Sequence, residues 1–101
     1  MTMVPPPDRA VGSLLGLALG DALGAPFEGA ASVTPDALAA WVDADEPLRW
    51  TDDTQMALTL AEVLLAGRGD LDPQVLGDAF AAAYAAEPWR GYGSGPPEIF
   101  R

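Results

Sequence analysis

Four glycines, Gly12, Gly16, Gly20 and Gly24, recur every four residues inside an apolar run. That register restricts the chain more than any other feature. A spacing of four keeps the glycines on one side of an α-helix, where each costs up to about 1 kcal/mol relative to alanine. A stripe of four therefore points to a helix that another backbone approaches closely. Val11, Leu14, Leu15, Ala18, Leu19 and Ala22 add a broad apolar face. The pattern predicts a helix over 8–24, capped by Asp8 and buried on most sides by partners. Asp21, beside the strip in an otherwise uncharged segment, reads as a structural acceptor that ties down a loop. Because Asp21 interrupts the apolar run short of the ~20 residues a bilayer requires, no membrane span is expected.

The remaining elements are announced by their starts and stops. Thr34-Pro35-Asp36 and Asp72-Pro73 each join a capping side chain to a proline suited to a first helical turn. They predict helices near 35–42, carrying Leu38, Trp41 and Val42, and near 73–86, with Val75, Leu76, Ala79, Phe80, Ala83 and Tyr84 on one side. Between them Thr51-Asp52-Asp53 opens a helix over 52–66, with Met56, Leu60, Val63 and Leu64 at helical spacing and Gly67 as the terminating glycine. Pro26 marks a turn after the first helix. Residues 1–7 read as a flexible, proline-bearing lead, residues 8–101 as one helical domain, and Glu98 as the beginning of a further helix. No stretch alternates like a strand, so the fold class is all-α.

Composition excludes several chemistries. Neither cysteine nor histidine occurs, so disulfides, thiolate or imidazole catalysis and Cys/His zinc sites are out. Carboxylates, hydroxyls, arginine, backbone amides and oxygen-bound metals remain. A formal charge of -10 with no lysine argues against an extended nucleic-acid surface. The absence of a basic start followed by an apolar core suggests a cytoplasmic protein.

Three groups of residues are candidates for that remaining chemistry. Thr51, Asp52 and Asp53 combine a hydroxyl with two carboxylates, hard donors of the kind that hold Mg²⁺ or Mn²⁺; the same residues also make an ordinary helix start. Glu28, just past the first helix, reads either as a metal ligand or general base or as an ordinary exposed glutamate. Gly91, Tyr92, Gly93, Ser94 and Gly95 form a loop that turns sharply and aims amides at an anion, or simply turns. No following lysine or preceding strand makes it a P-loop or a dinucleotide-binding turn.

Taken together, Gly12-x-x-x-Gly16-x-x-x-Gly20-Asp21-Ala22-Leu23-Gly24-x-Pro26-x-Glu28, Trp50-Thr51-Asp52-Asp53-Thr54-x-Met56 and Arg90-Gly91-Tyr92-Gly93 resemble the amino-terminal third of the ADP-ribosylglycohydrolase family in order and spacing. The resemblance implies an orthogonal all-α bundle holding two Mg²⁺ or Mn²⁺ ions at one cleft, with Thr51, Asp52 and Asp53 as metal ligands. It also implies that Glu28 sits on a flap able to reach the metals and that the loop from Gly91 to Gly95 helps shape the cleft around ADP-ribose. The implied reaction is hydrolysis of an ADP-ribosyl glycosidic bond in a modified protein or small ADP-ribose derivative, with Asp53 or Glu28 assisting the attacking water.

A further ligand motif of that family, Asp-x-Asp-Thr near its carboxyl end, is absent from these 101 residues. The chain is accordingly expected to be a fragment, a partner of a second polypeptide that completes the fold, or an inactive remnant. The alternative function is a non-catalytic, truncated helical module that binds a partner or self-associates.

Overall fold

The computed structural model describes residues 7–100, all of them helical or irregular, with no strand among them. The expected lead falls outside the described residues except for Pro7, which already belongs to the first helix. Five α-helices follow in order: α1 (Pro7–Gly24), α2 (Pro35–Asp43), α3 (Asp52–Ala66), α4 (Pro73–Ala86) and the short α5 (Gly95–Ile99). The all-α class is as the sequence predicts. Two compact units divide the chain at Trp50/Thr51.

In the first unit, α1 runs into a 3-10 turn over Ala25–Phe27, with Pro26 in its opening positions. Asp8 is not a cap; it lies in the first turn of a helix that begins one residue earlier. The Thr34 hydroxyl does cap α2, accepting from the Ala37 amide at 3.1 Å. One side-chain bond ties α2 back to α1: the Trp41 indole N–H donates to the Leu23 carbonyl at 2.9 Å. Burial departs from expectation. Ala22 is buried and Leu14 and Ala18 are half-buried, but Val11, Leu15 and Leu19 are exposed. A Cβ built at any of the four striped glycines meets nothing within 4 Å, so the strip faces open space among the described residues. By length and composition alone, Asp8–Phe27 is a 20-residue segment apolar enough to cross a bilayer. The sequence reading stopped that run at Asp21, whereas the structure carries the helical path through it. The core helix of a soluble protein has the same length and composition.

In the second unit α3 packs against α4. The Thr51 hydroxyl caps α3, accepting from the Asp53 amide at 3.3 Å, and the Asp72 carboxylate caps α4, accepting from Gln74 at 2.9 Å. Met56, Leu60, Val63 and Leu64 are half-buried, as are Leu76, Ala79, Phe80, Ala83 and Tyr84; Val75 is exposed instead of sharing that face. The side chains most deeply enclosed on α3 are Thr54 and Thr59. Thr59 donates its hydroxyl proton to the Gln55 carbonyl at 2.9 Å, which satisfies a polar group in a place built for apolar ones. Phe80, Tyr84, Tyr92 and Phe100 form an aromatic cluster, with Tyr84 and Tyr92 edge to face at a centroid distance of 5.0 Å.

Gly67 ends α3 by an unexpected route. Its φ is −87°, and the left-handed positions fall on Arg68 and Gly69. Glycine is required at 67 because any Cβ there would collide with the Asp70 carbonyl oxygen. The constraint is space, not backbone conformation.

Candidate functional site

The acidic cluster and the glycine loop belong to the same unit, and one hydrogen bond joins them. At the start of α3 the first amides have no intrahelical acceptor. Thr51 accepts from Asp53, while the Asp52 amide donates to the Arg90 carbonyl at 2.7 Å. The helix start is thus stitched to the residue that opens the loop. Thr51 and Asp52 are half-buried and Asp53 is exposed, so the cluster straddles the edge between the packed interior and solvent.

Arg90 is held from several sides. Its guanidinium makes a forked pair with Glu87, Nε to Oε1 at 3.1 Å and Nη2 to Oε2 at 3.0 Å. It also lies over the Trp89 ring, with Cζ 4.2 Å from the centroid. The Arg90 side chain is almost wholly enclosed while Glu87 keeps partial contact with solvent. This anchor fixes the carbonyl that receives the Asp52 amide.

Beyond Arg90 the loop turns on two glycines. Gly91 (φ +86°) and Gly93 (φ +69°) occupy the left-handed region that favours glycine. Gly95 does not: it begins α5, with Pro96 and Pro97 in the opening turn. Gly91, Gly93, Ser94 and Gly95 are exposed, whereas Tyr92 between them is only 4% exposed. The Tyr92 hydroxyl has no hydrogen-bond partner. Burial pushes this phenol above its ordinary value of 10.0; the Asp52 and Glu87 carboxylates add to the effect and Arg90 opposes it. Packing, the plainer of the two roles available to Tyr92, is what the ring does.

Of the predicted site residues, the second unit therefore gathers Thr51, Asp52, Asp53 and the Arg90–Tyr92 turn. Glu28 stands in the first unit, exposed at the end of the 3-10 turn, its amide donating to the Ala25 carbonyl at 3.3 Å. A groove of about 320 Å³ between α4 and α5, lined by Pro73, Gln74, Phe80 and Phe100 among others, contains none of the predicted residues. Sequence reasoning missed the Glu87–Arg90 fork and the Asp52–Arg90 backbone bond. The i, i+3 spacing of opposite charges around Pro88 was the one available signal for the first; nothing local announces the second.

The cluster's donors suit a hard divalent cation in kind: one hydroxyl and two carboxylates at consecutive positions. They do not suit it in number. No group of three or more acidic, histidine or cysteine side chains able to hold a metal occurs among the described residues. The cluster supplies part of a coordination sphere.

Comparison with known proteins bears on both units. The chain is 37% identical to the ADP-ribosylhydrolase ARH3 of Gallus gallus over 112 aligned residues, which cover 96% of this chain and 30% of that protein. It is 37% identical to the ADP-ribosylhydrolase ARH3 of Danio rerio, covering 92% of this chain and 27% of the relative. An uncharacterized Escherichia coli protein, YegU, is also 37% identical over 83 residues. The chain thus spans less than a third of the length of these relatives. No solved structure matches it significantly. The sequence profile of the ADP-ribosylglycohydrolases is matched from residue 3 to residue 100, across the glycine stripe, the Thr-Asp-Asp helix start and the glycine loop alike, and the chain belongs to that family.

Proposed function

We propose that this chain carries the amino-terminal part of a metal-dependent site that hydrolyses an ADP-ribosyl glycosidic bond, in a modified protein or a small ADP-ribose derivative. One observation carries the reading: in a chain of this family, the consecutive donors Thr51, Asp52 and Asp53 sit at a helix start tied to the glycine loop by the Asp52–Arg90 bond.

Mg²⁺ or Mn²⁺ ions, a pair in the completed site, would supply positive charge to orient ribose hydroxyls and to make water a better nucleophile. Thr51, Asp52 and Asp53 would hold them, with the remaining positions filled by water and by donors outside this chain or later in a longer one. The loop from Gly91 to Gly95 presents exposed backbone and the Ser94 hydroxyl for contact with the ADP-ribose. Asp53 and Glu28, both exposed, are the carboxylates proposed to take a proton from the attacking water.

Release of ADP-ribose from ADP-ribosylated arginine, from an ADP-ribosylated protein and from a small O-linked derivative tests the proposal and defines the acceptor. The native-length protein should act on at least one with Mg²⁺ or Mn²⁺ present and lose that activity with chelator. The 101-residue chain alone should be inactive, because its cluster fills only part of a coordination sphere. Turnover by the isolated chain, or turnover indifferent to chelator, would contradict this.

A second reading is favoured by the open face of α1: a non-catalytic helical module that associates through Val11, Leu15 and Leu19. Native-length protein that is inactive on every substrate above yet self-associates would select it.

A further inference from the structure

The Tyr92 hydroxyl is a polar atom whose position the fold fixes and whose partner the fold does not supply. The ring is gripped edge to face by Tyr84 at 5.0 Å and by Phe100 at 6.2 Å. The flanking Gly91 and Gly93 hold left-handed turns that set the loop's path, and the Arg90 carbonyl anchors it to the Asp52 amide. So confined, the residue is 4% exposed and its hydroxyl is buried without a hydrogen bond.

For the fold alone, that hydroxyl is a liability. A phenylalanine would keep the ring contacts without enclosing an unsatisfied donor. The charged groups acting on the phenol are Asp52, Arg90 and Glu87. Arg90 and Glu87 are occupied with each other, which leaves Asp52, a member of the Thr-Asp-Asp cluster, as the neighbour that links the phenol to a ligand. A hydrated divalent cation at that cluster would bring ordered water oxygens able to donate to or accept from a phenol. Groups behind the ligands that orient them in this way are a regular part of metal sites.

We propose that Tyr92 is a positioning residue for a divalent cation held at Thr51, Asp52 and Asp53, its enclosed hydroxyl finding its hydrogen-bond partner in the water shell of the bound ion. The inference rests on the metal-dependent reading above and assigns the loop's tyrosine a task distinct from contact with substrate.

The test is Mn²⁺ binding to the native-length protein, read by electron paramagnetic resonance of the free ion, alongside the melting temperature of the metal-free form. Tyr92→Phe should weaken Mn²⁺ binding by about tenfold or more while the metal-free melting temperature stays level or rises. Wild-type protein should show a tyrosine absorbance change on titration with Mg²⁺, and Tyr92→Phe should lack it. Tyr84→Phe, which alters the neighbouring ring, should bind Mn²⁺ as wild type does. If Asp53→Asn loses Mn²⁺ while Tyr92→Phe keeps wild-type affinity, the tyrosine's role is wrong and the metal reading stands. Wild-type protein that binds no Mn²⁺ overturns both. A lowered metal-free melting temperature with unchanged Mn²⁺ affinity marks the residue as merely structural and overturns the inference.

Discussion

The two units obey the same helix-start rules and end with very different amounts of enclosure. Thr34 and Asp72 each cap a helix that opens on proline, one in each unit, and both caps form. In the first unit the result is two helices joined by an indole-to-carbonyl bond, with Leu15 65% exposed and the glycine strip bare. In the second, α3 and α4 enclose two threonines, an arginine fork and an aromatic cluster. Local capping is therefore sufficient to place helix ends and insufficient to make a core. What separates the units is the supply of large side chains that can meet: Phe80, Tyr84, Tyr92 and Phe100 converge, while α1 offers leucines, alanines and glycines to a partner not among the described residues.

If the second unit carries the chemistry, its cluster should yield the largest effect. Asp53→Asn in the native-length protein should lower kcat/KM for ADP-ribose release by about a hundredfold or more, on the order of 3 kcal/mol of transition-state stabilisation. Melting temperature should hardly move, since the residue is exposed. A change of less than about threefold would remove this cluster from the site.

Packing gives the next contrast. Phe100→Ala should cost about 2 kcal/mol by urea unfolding, less than a fully buried phenylalanine because this one is half-buried. Leu15→Ala in the 101-residue chain should cost under about 0.5 kcal/mol, as exposed positions do. In the native-length protein the same change should cost about 2 kcal/mol, because the relatives have more than two thirds of their length beyond the matched region and an apolar stripe of this kind suits close helix packing. A native-length cost no larger than that of the short chain would mean that the face stays open. Caps should matter about equally in both units: Thr34→Ala and Asp72→Ala should each cost about 1 kcal/mol.

The helix positions were legible in the sequence because their signals are local. Every expected boundary falls within a residue or two of the observed one, and Pro35, Pro73 and the residues before them state the starts outright. The missed start was α5, where Gly95-Pro96-Pro97 reads as loop, although two prolines fit the first turn of a helix, where no amide donor is needed. The cluster Thr51–Asp53 was legible as a set of donors, and the family resemblance gave its chemistry. Its tie to Arg90 was not, since a backbone bond between residues 52 and 90 leaves no mark on side-chain identity. Nor was the enclosure of Thr54 and Thr59, which sit where periodicity puts apolar residues. Gly67 was found for the wrong reason: the terminating glycine is needed to clear a carbonyl, a close approach visible only in three dimensions.

The smallest expected effect concerns the phenol. Burial, with Asp52 and Glu87, raises the Tyr92 pKa above 10.0 in the folded chain, whereas in the unfolded chain it sits near the ordinary value. Below about pH 10 both states keep the proton and the group gives stability no pH dependence. Above it, the unfolded chain releases the proton while the folded chain still holds it. The folded state then binds more protons, so stability falls as pH rises, until the folded pKa is passed and the loss is complete. In metal-free, native-length protein, urea unfolding from about pH 8 to pH 11 should show wild type losing stability faster than Tyr92→Phe above about pH 10, the two curves running parallel below it. Parallel curves throughout would mean that the phenol meets the same surroundings folded and unfolded. That result would dissolve the contrast between a closed second unit and an open first one at the residue where it is sharpest.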